Sequence, residues 1–164
     1  FVGRVRKHQT ILAEIVQDGY ALGQVIICGT EENKIHDVSH YLGRLKANPK
    51  NVKQYFVVPS ADKWEVTKVQ RQRKPELFKA PLLLVKKSTS SVDYSAKAAI
   101  YTKDAVYTDA LTGIHGGNLE VLRNISGVLN SSLFPYYALM SMSSIGVERE
   151  QAHNEEKFMM PYDS

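Results

Sequence analysis

The chain has 164 residues, 43% of them apolar and 23% charged, which suits a globular core and argues against a disordered polyelectrolyte. Its formal net charge is +4 and it holds one cysteine, Cys28, so neither a disulfide scaffold nor a uniformly basic chain is expected. No apolar run approaches the ~20 residues of a membrane span and no charged-then-apolar leader opens it, so the expectation is a cytoplasmic, reducing setting with no membrane contact. The chain opens on Phe1 and closes on MMPYDS, the ends expected of a piece cut from a longer polypeptide.

After a basic opening (Arg4, Arg6, Lys7, His8), Ile11, Leu12, Ile15 and Val16 fall at helical spacing behind Thr10, predicting a short amphipathic helix with Thr10 as N-cap. Gly19 and Gly23 punctuate its exit, and Val25 to Cys28 predicts a strand ending at Gly29. Cys28 reads as a small apolar filler of that strand rather than a nucleophile. The polar segment from 29 to 40 predicts an exposed loop, the kind of place where recognition is carried. His36 and His40 are four apart, as on a metal-binding helix face, but no third ligand is spaced nearby and ordinary loop histidines are the better reading. Asn48-Pro49 predicts a turn, Gln54 to Val58 (QYFVV) a strand, and Trp64 and Val66 a half-buried strand.

The most suggestive stretch is Lys63 to Lys87. Lys63, Lys68, Arg71, Arg73, Lys74, Lys79, Lys86 and Lys87 stand there against Glu65 and Glu76, a local net charge of +6, so the rest of the chain is slightly acidic. A positive field focused this way either solvates a face or meets a polyanion. Leu82 to Val85, after Pro81, is an apolar run too short for a buried helix and predicts a central strand. Lys86 and Lys87 then sit at its carboxyl end beside the hydroxyl-rich loop STSSVDYS, well placed to hold phosphates.

Ala96 to Tyr101 and Ala105 to Tyr107 are two further strand candidates, and GIHGG at 113 to 117 predicts a tight turn, lacking the context of a phosphate loop. From Asn118 as N-cap, Leu119, Leu122, Ile125 and Leu129 form one helical stripe. Past Ser131-Ser132, a second helix carries Leu133, Phe134, Tyr137, Leu139 and Met140, with Pro135 in its first turn and its apolar stripe in the core. Glu148, Glu150, Glu155 and Glu156 read as a solvated face. The expected fold is α/β of the α+β kind: a curved mixed or antiparallel sheet with C-terminal helices packed on it. No nucleophile elbow, CxxC or HExxH motif is present, so no catalytic residues and no metal site are expected.

PELFKAPLLLVKK at 75 to 87, GIHGG, VLNSSLFPYY at 128 to 137 and SSIGVEREQ at 143 to 151 follow one another in an order that resembles the C-terminal target-recognition region of bacterial N6-adenine DNA methyltransferases. More narrowly, they are similar to the TaqI-like specificity domains of fused restriction-modification enzymes. The resemblance covers roughly residues 64 to 151, its best motifs being the apolar strand followed by lysines and the Leu129-Asn130-Ser131 triplet. It implies that residues 1–164 form a single DNA target-recognition domain whose partners are double-stranded DNA and an N-terminal methyltransferase domain of the same polypeptide. The Asn/Asp-Pro-Pro-Tyr/Phe adenine motif and the glycine-bearing S-adenosylmethionine motif of that domain are missing here. The cofactor is therefore expected on the parent enzyme and none on this chain. Under this reading the DNA-binding set is Lys68, Arg71, Arg73, Lys74, Lys79, Lys86 and Lys87. Arg71 and Arg73 are suited to bidentate base contacts, and Lys86 and Lys87 to phosphates. The alternative is a non-catalytic protein-interaction domain with a basic face.

Overall fold

The structure, a computed structural model, describes residues 9–142 and 154–162. Its frame is a four-stranded antiparallel sheet built from β2 (Ala21–Gly23), β7 (Leu82–Lys86), β8 (Ala98–Tyr101) and β9 (Leu111–His115), in the spatial order β2-β9-β7-β8. The fold is α+β, an open antiparallel sheet with C-terminal helices, as the residue patterns lead one to expect. The apolar run 82–85 is the central strand it was expected to be, and its continuity has a simple cause. Leu83 and Val85 face a core built with the helices, while Leu82 and Leu84 face a second core on the other side, so no position is left for a polar residue.

On the first face lie α1 (Ile11–Gln17), α2 (Leu119–Asn130), α3 (Leu133–Ser141) and the short α4 (Asn154–Phe158). Thr10 caps α1 by accepting from the Ala13 N–H at 3.1 Å, and Asn118 caps α2 by accepting from Glu120 at 2.9 Å, so both N-caps fall where predicted. The stripe Leu122, Ile125 and Leu129 is fully buried. In α3 the expectation of a wholly buried stripe fails: Phe134 and Ala138 are buried, but Leu133, Tyr136, Leu139 and Met140 are exposed, because the helix offers the core only one narrow edge. The strand β10 (Pro161–Tyr162) pairs with β1 (Gln9–Thr10), returning the chain to its beginning. Glu148 and Glu150 lie outside the described residues, as do the 143–151 motif and the basic opening at Arg4 to His8.

The second face is covered by a lobe of short elements running from Val25 to Phe78. It contains β3 (Ile26–Ile27) paired with β6 (Arg71–Gln72), β4 (His36–Asp37) paired with β5 (Lys68–Val69), and four single 3-10 turns. Trp64, Tyr41, Phe78 and Tyr107 fill its core. Trp64 is buried and its indole N–H donates to the Val66 carbonyl at 2.7 Å, but the predicted strand there is reduced to a single bridge between Leu45 and Lys63. The predicted strand at 105–107 is likewise reduced to bridges, at Val106 and Thr108.

Two predicted elements are corrected. Residues 54–58 form no strand: Val52 bridges Val57, the Lys53 N–H donates to Phe56 O at 2.9 Å, and Tyr55 turns at φ 69°, making a tight hairpin with Tyr55 and Phe56 exposed. GIHGG opens inside a strand, since Gly113 to His115 belong to β9, which lies between β2 and β7. The glycines serve close approach: a Cβ on Gly113 would lie 1.8 Å from the Tyr107 hydroxyl, and one on Gly116 would run into the Tyr20 ring.

The open edge of β8 is closed by a side chain. Ala98 is the residue opposite Val85, and its N–H and C=O point away from β7. The buried Asn130 side chain meets both, its Oδ1 accepting from Ala98 N–H at 3.1 Å and its Nδ2 donating to Ala98 O at 2.7 Å. The hairpin joins the same point: Tyr55 N–H donates to Ala98 O at 3.1 Å and Gln54 Nε2 donates to the Asn130 carbonyl at 2.7 Å. Asn130→Ala should therefore cost about 2 kcal/mol in denaturant unfolding, the scale of a buried donor left unpaired. The isosteric Asn130→Asp should also destabilise, because it turns an oxygen onto the Ala98 carbonyl. An Asp variant as stable as wild type would show that the amide is not the clamp.

Candidate nucleic-acid interface

Lys68, Arg71, Arg73 and Lys74 fall within seven residues of the second-face lobe, and all four are exposed. They stand there because β5 and β6 are two-residue strands whose inward positions are taken by Val69 and Gln72, leaving Lys68 and Arg71 outside. Gln72 is tied down by donating to the Tyr41 hydroxyl at 2.7 Å. Arg73 is anchored through its backbone N–H to Val25 O at 3.0 Å, and Lys74 leads into the 3-10 turn Pro75–Phe78, beyond which Lys79 is exposed as well.

Arg71 borders a cleft of about 450 Å³ that it shares with Gln70, Glu32, Asn33 and His36. The polar loop 29–40 and the basic run, far apart in sequence, thus form opposite walls of one depression. The loop is brought in by β4 pairing with β5, His36 opposite Val69 and Asp37 opposite Lys68. Gly29 makes the approach possible: it sits at φ 70°, and a Cβ there would lie 2.5 Å from the Gln70 Cβ. Asp37 accepts from the Ser39 N–H and hydroxyl, which hold its carboxyl below the usual range. His36 lies in β4 and His40 in a 3-10 turn, so they share no helical face, and His40 packs on the Tyr41 ring at 4.0 Å. Cys28 is half-buried, and burial pushes its thiol up.

Lys86 and Lys87 are brought to the same end of the molecule but are less free than the others. Ile26 of β3 pairs with Gln72 on one side and bridges Thr108 on the other. The Arg71 strand and the Thr108-Asp109 segment are therefore two strand spacings apart, roughly 10 Å. Lys87 reaches Asp109 across 4.0 Å, and both are half-buried. Lys86 lies opposite Lys97, the residue just before β8, donating its N–H to Lys97 O at 2.9 Å, and its ammonium is pushed down by burial and by the charges of Lys97 and Lys53.

One residue that sequence reasoning missed underlies this pair. Lys157 of α4 is buried and donates from Nζ to the carbonyls of Lys86, at 2.8 Å, and of Lys87. No local pattern marks it, since its neighbours Glu155 and Glu156 make the segment look like a solvated face. Burial first and the Lys87 charge second push the Lys157 ammonium down to about 7. Among the described residues no cluster of three or more His, Cys, Asp and Glu side chains could hold a metal, and no helix is long and apolar enough to cross a membrane.

Compared with known proteins, the chain matches no protein-family model and no curated sequence.

The Lys157 geometry sets a pH dependence. The folded state binds this proton less readily than the unfolded chain, so the residue's contribution to stability is lowest at and below about pH 7 and rises as pH climbs from there toward 10.5. Unfolding free energies measured between about pH 7 and about pH 9 should rise in wild type relative to Lys157→Met, by at most about 1.4 kcal/mol per pH unit. Parallel profiles for the two proteins would contradict it.

Proposed function

We propose that the chain is the DNA target-recognition region of an adenine-N6 DNA methyltransferase or of a fused restriction-modification enzyme, with methyl transfer carried by a separate N-terminal domain. The observation that carries this reading is the convergence of exposed Arg71, inside the run Lys68 to Lys74, with the polar loop 29–40 around one cleft. Arginine, asparagine, glutamine and histidine side chains on a concave surface are groups suited to base edges, and the lysines flanking Arg71 in sequence are suited to phosphates. The resemblance of the 75–87 and 128–137 segments to TaqI-like specificity domains supports the same reading.

Arg71 and Arg73 then make the base contacts and Lys68, Lys74 and Lys79 hold phosphates, with Lys86 and Lys87 extending that line toward β7. The target adenine is flipped into the pocket of the catalytic domain. S-adenosylmethionine belongs to that domain under this reading. A second reading, a protein-interaction domain with a basic face, is favoured by the exposed apolar side chains of α3.

Affinity for duplex DNA should fall steeply with salt, with a slope of about −0.9 on logarithmic axes for each phosphate contact and about four to six contacts. Lys74→Glu and Lys79→Glu should weaken all sequences alike and make that slope shallower. Arg71→Ala should cost about 1–3 kcal/mol on the preferred sequence and relax selectivity at one base pair. A flat salt response would favour the protein-interaction reading.

A further inference from the structure

The lysines at the end of β7 and the hairpin at 52–57 belong together. Lys86 and Lys97, joined by the Lys86 N–H to Lys97 O hydrogen bond, face each other just beyond the β7–β8 ladder, an arrangement in which like charges are unfavourable, and Lys53 at the base of the hairpin adds a third positive charge. The nearby carboxylate, Asp93, feels the Lys97 charge but is hydrogen-bonded within its own loop, accepting from the Ser95 hydroxyl at 2.7 Å and the Ser95 N–H at 3.1 Å. Two residues beyond Lys53, Tyr55 is held at φ 69°, a conformation costly for an aromatic residue, and is 58% exposed, as is Phe56. Burial gains nothing from such an arrangement. Because the hairpin hooks over the edge of β8, Lys53 falls on the lysine side while Tyr55 walls a cleft of about 420 Å³ with Ile100, Leu119 and Arg123 on the helix side.

We propose that this edge is a binding site for an unpaired nucleotide of a DNA strand, with Lys53, Lys86 and Lys97 holding a backbone phosphate and Tyr55 stacking on a base admitted to the cleft beside Arg123. Stacking on an exposed aromatic next to a cationic track is how single-stranded segments are held without sequence preference. The inference rests on the DNA-recognition reading and adds to it a seat for the strand opened when a base leaves the duplex.

The test is fluorescence anisotropy of the whole chain with a fully paired duplex and with the same duplex carrying one base opposite an abasic site. Wild type should bind the second roughly tenfold more tightly. Tyr55→Asn, which tolerates the left-handed backbone, should remove that preference while leaving paired-duplex affinity unchanged and thermal unfolding no lower than in wild type, and Lys97→Gln should make the salt dependence of the unpaired complex shallower. Equal affinity of wild type for both duplexes, or a preference that survives Tyr55→Asn, overturns the inference while leaving the DNA-recognition reading standing. Absence of binding to either duplex overturns both. Displacement of the probe by a free deoxynucleoside monophosphate as effectively as by an unpaired oligonucleotide would assign the site to free nucleotides and overturn the strand reading.

Discussion

The peptide group of Ala98 is the constraint on which the two sides of the molecule depend. It lies on the open edge of the sheet, where an N–H and a C=O in a buried setting must find partners or cost free energy. Asn130 supplies both from one side chain, acting as a one-residue surrogate for a fifth strand. Because Asn130 is also the last residue of α2, the same contact fixes the end of that helix against the sheet. The freed carbonyl of Asn130 is taken by Gln54, and Ala98 O by Tyr55, so the hairpin of the opposite lobe is fastened to the helix layer through the same few atoms.

With both faces of β7 buried, the sheet can support two layers of different character. The helix layer is regular and apolar. The second-face lobe has strands of only two residues, held mostly by aromatic packing of Tyr41 against Phe78 and of Phe78 against Tyr107. Short strands end in loops, and loops fixed at their base by a rigid sheet can hold polar side chains outward at defined positions. That is why the cations between Lys68 and Lys74 are exposed, whereas Lys86 and Lys87, at the end of a core strand, are half-buried, with Lys87 reaching Asp109.

Where structure follows local chemistry, it was legible in the sequence. The run Leu82–Val85 behind Pro81 marked the central strand, and Thr10 and Asn118 marked the helix starts, because a cap is a short-range hydrogen bond. What depends on distant contacts was not legible. QYFVV has strand composition, yet its turn is set by hydrogen bonds to Ala98 and Asn130, more than forty residues away in each case. GIHGG looked like a turn because its glycines suggest flexibility, whereas Gly113 and Gly116 make room for Tyr107 and Tyr20. For the candidate site, the polar run QRQRK announced its own exposure, but Lys53 and Lys97 are isolated in sequence and meet Lys86 only through strand pairing and the hairpin. Lys157 is hidden for the same reason, its partners being carbonyls some seventy residues away.

The central claim is that the lobe reads DNA sequence and does not merely attract polyanions. The most direct measurement is selection of bound duplexes by the whole chain from a pool randomised over a short window, at a salt concentration that suppresses non-specific binding. The account predicts enrichment of one short motif containing an adenine, with a guanine position that loses its preference when Arg71 is replaced. Retention of duplexes with no enriched motif would contradict it.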